Sequence, residues 1–111
     1  MAAMNKYPYE QRVKTYLEAI HTFGEEYQEE VAVEEMSELI KEICKNWRGK
    51  DNRAAIAEEI ADVRIMLDQM CILHDCEDLA KRYRSEKLLR LYERVKEARE
   101  KNGGSPNDDN S

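Results

Sequence analysis

Glu35, Glu38, Glu59 and Asp62 are the residues whose type and spacing could do chemistry. Four carboxylates gathered in one place repel one another, and without compensation some must take up protons. One or two hard divalent cations remove that repulsion. Magnesium suits such a set because it prefers oxygen ligands, keeps several waters and bridges a few carboxylates to substrate phosphates. Manganese is the expected substitute. No histidine neighbours these acids in the sequence, so nothing favours a softer metal.

Helices must position these acids. Pro8, Gly24, the run Arg48 to Asn52, the polar patch His74 to Asp78 and the tail from Asn102 interrupt the chain. The intervals predict four helices, near Tyr9 to Phe23, Glu25 to Trp47, Arg53 to Leu73 and Leu79 to Lys101. Ala32, Met36, Leu39 and Ile43 recur at helical spacing in the second, and Ile56, Ile60, Val63 and Leu67 in the third. The two patterns superpose at an offset of 24 residues, which also carries Glu34-Glu35 onto Glu58-Glu59 and Glu38 onto Asp62. On a helical wheel Glu35 and Glu59 lie roughly 60° from the start of each apolar stripe, whereas Glu34 and Glu58 point more than about 150° away. The first pair should border the core and the second should face solvent. If the two helices pack antiparallel, Glu35, Glu38, Glu59 and Asp62 converge at one edge of the seam.

The plainer reading is that these acids are solvated helix flanks paired with basic residues four positions on. The usual partners are missing. Glu34 meets Glu38, Glu35 meets Leu39, Glu38 meets Glu42, Glu58 meets Asp62, Glu59 meets Val63 and Asp62 meets Met66. Only Lys41, three residues beyond Glu38, offers a substitute.

Glu34-Glu35-Met36-Ser37-Glu38, followed after 20 residues by Glu59-Ile60-Ala61-Asp62, resembles the paired E-E-x-x-E and E-x-x-D motifs of the MazG-like all-α nucleoside triphosphate pyrophosphohydrolases. The resemblance extends roughly from Phe23 to Val95 and points to short members common in bacteria and their phages. It implies an all-α, four-helix MazG-like bundle over residues 1–101, completed by oligomerisation as a homodimer or homotetramer. It also implies magnesium-dependent hydrolysis of an NTP or dNTP to monophosphate and pyrophosphate. The metal ligands carry over to Glu35, Glu38, Glu59 and Asp62, with Glu35 favoured as the proton acceptor. Phosphate contacts carry over to Lys87 and Arg90, which share one stripe of the fourth helix with Arg94. The plainer role of that stripe is pairing with Glu86, Glu93 and Glu97.

Trp47 could stack on a base, although it also continues the apolar stripe. Arg48, Lys50 and Arg53 cluster at the turn after the second helix, where Lys50 is a candidate substrate contact. Cations there equally suit the negative end of a helix dipole, and Gly49 suits a helix stop. Cys71, His74 and Cys76 are a soft-ligand cluster within six residues, but its spacing crosses a helix end and lacks a fourth ligand for zinc. His21 has no identifiable partner. Ala61, Ile65 and Ile72 on one side of the third helix, with Met66, Met70 and Leu73 beside its acidic edge, predict central burial against another subunit.

Composition bounds the remainder. The 111 residues include 38% charged ones, four Gly and two Pro, a helical composition for one small domain. A net charge of −6 argues against nonspecific nucleic-acid binding, which needs many cations against phosphates. A phosphorylated substrate remains compatible if cations intervene. Three cysteines without a Cys-x-x-Cys fit a reducing cytoplasm better than a disulfide framework. The polar start and the lack of a long apolar run predict neither a signal peptide nor a membrane span. Residues 102–111 have nothing to bury and are expected to be disordered. The competing functional class is a noncatalytic helical interaction module whose stripes mediate assembly. A di-iron carboxylate bundle is disfavoured because no Glu-x-x-His pair occurs.

Overall fold

The computed structural model describes residues 8–103 of the chain. Most of the tail expected to be disordered, 104–111, lies outside the described residues. Among those described, four helices and no strand occur: α1, Tyr9–Phe23; α2, Glu25–Trp47; α3, Arg53–Leu73; and α4, Glu77–Lys101. The fourth begins two residues earlier than its apolar pattern suggests. Glu77 and Asp78 form its first turn, where negative charge favours the helix dipole. Among the described residues, no helix is long and apolar enough to cross a membrane. The chain divides into two compact units, one ending at Cys76 and the other starting at Glu77.

The first unit holds α1, α2 and α3. A single residue, Gly24, joins α1 to α2 with φ 96°, a backbone state that strains any residue carrying a Cβ. Its N–H closes α1 on the Ile20 carbonyl at 2.9 Å, and its carbonyl accepts from the Gln28 N–H at 3.1 Å to open α2. Gly49, at φ 99°, likewise permits the reversal between α2 and α3. On α1, Val13, Tyr16 and Ile20 are half-buried at helical spacing, and the Tyr16 hydroxyl donates to Asp68 Oδ2 of α3 at 3.2 Å.

Cross-seam partners show that α2 and α3 run antiparallel. Gln28 donates to Gln69 at one end, Glu35 meets Glu59 in the middle, and Asn52 donates to Glu42 at the turn end. Asn52, at the start of α3, is buried and does not cap its own helix. Its amide instead bonds the Glu42 carbonyl at 2.9 Å and Glu42 Oε1 at 2.8 Å, and its oxygen accepts from Asn46 at 3.3 Å.

The apolar stripes predicted from the sequence do not form the seam as expected. Gln28, Ala32, Glu35, Leu39 and Glu42 line it from α2, and Asn52, Ile56, Glu59, Val63 and Met66 from α3. The seam is thus rotated toward the acids by roughly 50° on α2. Small Ala32 sits fully buried at the crossing, and paired amides and carboxylates occupy positions where large aliphatic chains were expected. Met36 and Ile43 are left 38% and 37% exposed, and Leu67 is 48% exposed. Of the residues expected to bury α3 centrally, Met66 is buried and Met70, Ile72 and Leu73 are half-buried within the chain, whereas Ala61 and Ile65 are exposed.

The second unit is α4. From Asp78 to Lys101 every residue is exposed. Leu88, Leu91, Tyr92 and Val95 recur at helical spacing as an apolar stripe, and Arg99 and Lys101 favour the helix dipole in the last turn.

Candidate metal centre

Three of the four predicted carboxylates come together. Each of Glu35, Glu59 and Asp62 offers an oxygen within 4.8 Å of the others, and all three are half-buried. Helical geometry explains the set: Glu35 and Glu59 occupy facing seam positions, and Asp62 lies one turn beyond Glu59 on the same edge. Glu38 stands at the rim, with its Oε1 3.6 Å from Lys41 Nζ. Its charge still acts on Glu35 and Glu59.

The electrostatics are those of crowded like charges. Burial, then Asp62 and Glu34, push the Glu35 carboxyl above its ordinary value. Burial, then Asp62 and Glu35, do the same to Glu59. A protonated Glu59 would donate to Glu35, which draws the Glu35 value back. With both groups ionised there is no proton to share. Glu59 Oε1 is shut off from solvent and, among the described residues, has no hydrogen-bond partner. Such an orphaned buried acceptor is costly unless a ligand satisfies it. The donor set is all oxygen, which fits a hard divalent cation.

Glu34 and Glu58 are exposed, as the wheel predicted. Two of the other predicted contacts, Trp47 and Lys50, lie in the same unit as the carboxylates but do not join them. Trp47, 80% exposed, lies twelve positions along α2 from Glu35, about 18 Å at helical rise. Lys50 is in the turn beyond it. Lys87, Arg90 and Arg94 belong to the second unit, where they are exposed along α4. Among the described residues, Cys71, His74 and Cys76 do not gather as metal ligands. His74 Nε2 instead meets Glu29 Oε2 at 2.8 Å. His21 is exposed.

Sequence reasoning missed the amides that frame this centre. Gln28 and Gln69 are buried and bonded to each other at one end of the seam, and Asn52 and Glu42 are bonded at the other. Asn52 first, then Lys45, holds the Glu42 carboxyl below its ordinary value. One signal was available: Gln28 and Asn52 obey the same offset as the paired acids, and Gln28 extends the three-and-four spacing of Ala32 and Glu35 backward.

No protein-family model, curated protein or solved structure matches the chain.

Proposed function

We propose that this chain is a magnesium-dependent nucleoside triphosphate pyrophosphohydrolase, converting an NTP or dNTP to its monophosphate and pyrophosphate. The observation that carries this reading is the half-buried cluster of Glu35, Glu59 and Asp62, in which Glu59 Oε1 is shut off from solvent and, among the described residues, meets no donor. The sequence motifs that resemble the MazG-like family fall on that same cluster. In this reading Glu35, Glu38, Glu59 and Asp62 hold the cation. Bound magnesium, or manganese in its place, neutralises phosphate charge and polarises the reacting phosphoryl group. Glu35, at the seam position facing Glu59, takes the proton from the attacking water. Lys87 and Arg90 neutralise the phosphate charge that remains.

The active form is a homodimer or homotetramer. Val33, Met36, Ile40, Ile43 and Trp47 recur on α2 at steps of three and four and are all exposed. That stripe lies on the side of the hairpin away from the acids, and it suits a two-fold contact between identical copies. Trp47 and Lys50 serve the substrate only from a second copy, given their distance along the chain from Glu35. A reducing cytoplasm is the compartment that fits this activity and three thiols.

The same stripe also favours a second reading, a noncatalytic interaction module. The two differ in their response to ligand. Magnesium with a nonhydrolysable nucleotide raises the melting temperature of an enzyme with this site and leaves a pure interaction module unchanged. The substrate is found by assaying pyrophosphate release with magnesium across the common nucleotides and several oxidised or methylated ones. Orthophosphate release, or activity undiminished in excess chelator, would overturn the proposal.

A further inference from the structure

The end of α3 carries two thiols in a particular backbone frame. Leu73 is the last helical residue, His74 is the cap, and Asp75 takes a left-handed φ of 51°. The Asp75 N–H donates to the Ile72 carbonyl at 3.1 Å and the Cys76 N–H to the Cys71 carbonyl at 2.9 Å. This pair of bonds is the Schellman motif, in which the residue two beyond the cap folds back over the residue three from the helix end. Those two positions commonly make a side-chain contact with each other. Here both are cysteine, and both are half-buried.

The hydrogen bond limits how far apart they can be. With ordinary bond lengths and the trigonal angle at the carbonyl carbon, this 2.9 Å bond holds the Cys71 and Cys76 Cα atoms no more than about 6.8 Å apart. A disulfide spans Cα separations up to about the same value. We propose that Cys71 and Cys76 are a redox-modification site that closes to an intramolecular disulfide across the C-cap of α3. The inference does not depend on the hydrolase reading.

The oxidant is a low-molecular-weight disulfide. The Cys76 thiolate attacks one of its sulfurs, forming a mixed disulfide and releasing one small thiolate. The Cys71 thiolate then attacks the Cys76 sulfur and expels the second. Two protein thiols lose two protons and two electrons, and the small disulfide is reduced to two thiols. The bridge fixes the backbone of His74, Asp75 and Cys76, the connection from the first unit into α4. Reduction by a small thiol reverses it. Cys44 lies on α2 toward the opposite end of the hairpin and serves as an internal control.

The full chain, fully reduced, is equilibrated with glutathione and glutathione disulfide, quenched by alkylation and mapped by mass spectrometry. The expected product joins Cys71 to Cys76 with a mass about 2 Da lower than the reduced protein, while Cys44 remains open to alkylation. Cys71→Ser and Cys76→Ser should each retain glutathione on the remaining member of the pair. In strong denaturant the ratio of internal bridge to glutathione adduct should fall at least about tenfold, because the cap that raises the effective concentration is gone. Glutathione retained on Cys71 or Cys76 of the folded wild type, a bridge to Cys44, or an unchanged ratio in denaturant would each overturn the proposal.

Discussion

Glu59 presents a carboxylate oxygen within 4.8 Å of one on Glu35 across the α2–α3 seam, and Glu59 Oε1 is cut off from solvent with no partner among the described residues. Two acids so placed, with Asp62 beside them, are an unfavourable arrangement that a cation turns into a favourable one.

Neighbouring acids should therefore behave oppositely. Glu35→Gln or Glu59→Gln keeps size while removing a ligand charge, and turnover should fall by a factor on the order of 10² or more. Glu34→Gln and Glu58→Gln alter exposed charge and should stay within a few-fold of wild type. Initial rates of pyrophosphate release compare the four variants. Equal losses within each pair would show that the facing of these helices is wrong.

Stability of the metal-free protein should depend on pH in a defined direction. Glu35 and Glu59 titrate above the ordinary 4.5, so at intermediate pH the folded state holds protons that the unfolded chain has released. Their contribution is intact below that value and is lost as pH rises through the folded values. Glu42 is displaced the other way, so its contribution is lost only as pH falls below 4.5. With chelator present, urea midpoints should drop as pH rises above 4.5, less steeply in Glu59→Gln and less steeply again with saturating magnesium. A wild-type slope no steeper than that of Glu59→Gln would contradict the electrostatic account.

How much of this was legible in the sequence differs between elements. Pro8, Gly24 and Gly49 delimit α1 and α2, the glycines because each turn needs a left-handed backbone, and the polar run from His74 marks the end of α3. The pairing of Glu35 with Glu59 followed from helical period and the internal offset. The rotation of the seam did not, because periodicity locates an apolar stripe without revealing what it faces. Met36 and Ile43 satisfy the helical pattern yet remain partly exposed, and Gln28 and Gln69 are buried because each supplies what the other needs. A reading that assigns polar residues to the surface overlooks such pairs until both partners are located.

The Gln28–Gln69 bond should act as a pair. Gln28→Ala leaves Gln69 buried and short of a partner, and should cost about 1–3 kcal/mol in urea unfolding. Replacing both with leucine should cost less than the single change, since no buried amide is then left unsatisfied. A double variant as unstable as the sum of the two single ones would show that the bond contributes nothing to the seam.

The stripe on α2 gives a separate test of assembly. Ile40 is 62% exposed in the chain, and Ile40→Lys places a charge in the middle of Val33, Met36, Ile43 and Trp47. Light scattering should report a multiple of 13.1 kDa for wild type and a shift toward monomer for the variant. A monomeric wild type at micromolar concentration would remove the proposed oligomer.

The most direct measurement is phosphorus NMR of a nucleoside triphosphate mixture incubated with the protein and magnesium. Pyrophosphate and nucleoside monophosphate should grow in equal amounts from at least one component, and neither should appear with excess chelator; with Glu59→Gln their growth should fall by on the order of 10² or more. Accumulation of diphosphate and orthophosphate, or no turnover of any component by a folded, magnesium-loaded protein, would contradict the assignment of this carboxylate cluster to pyrophosphohydrolysis.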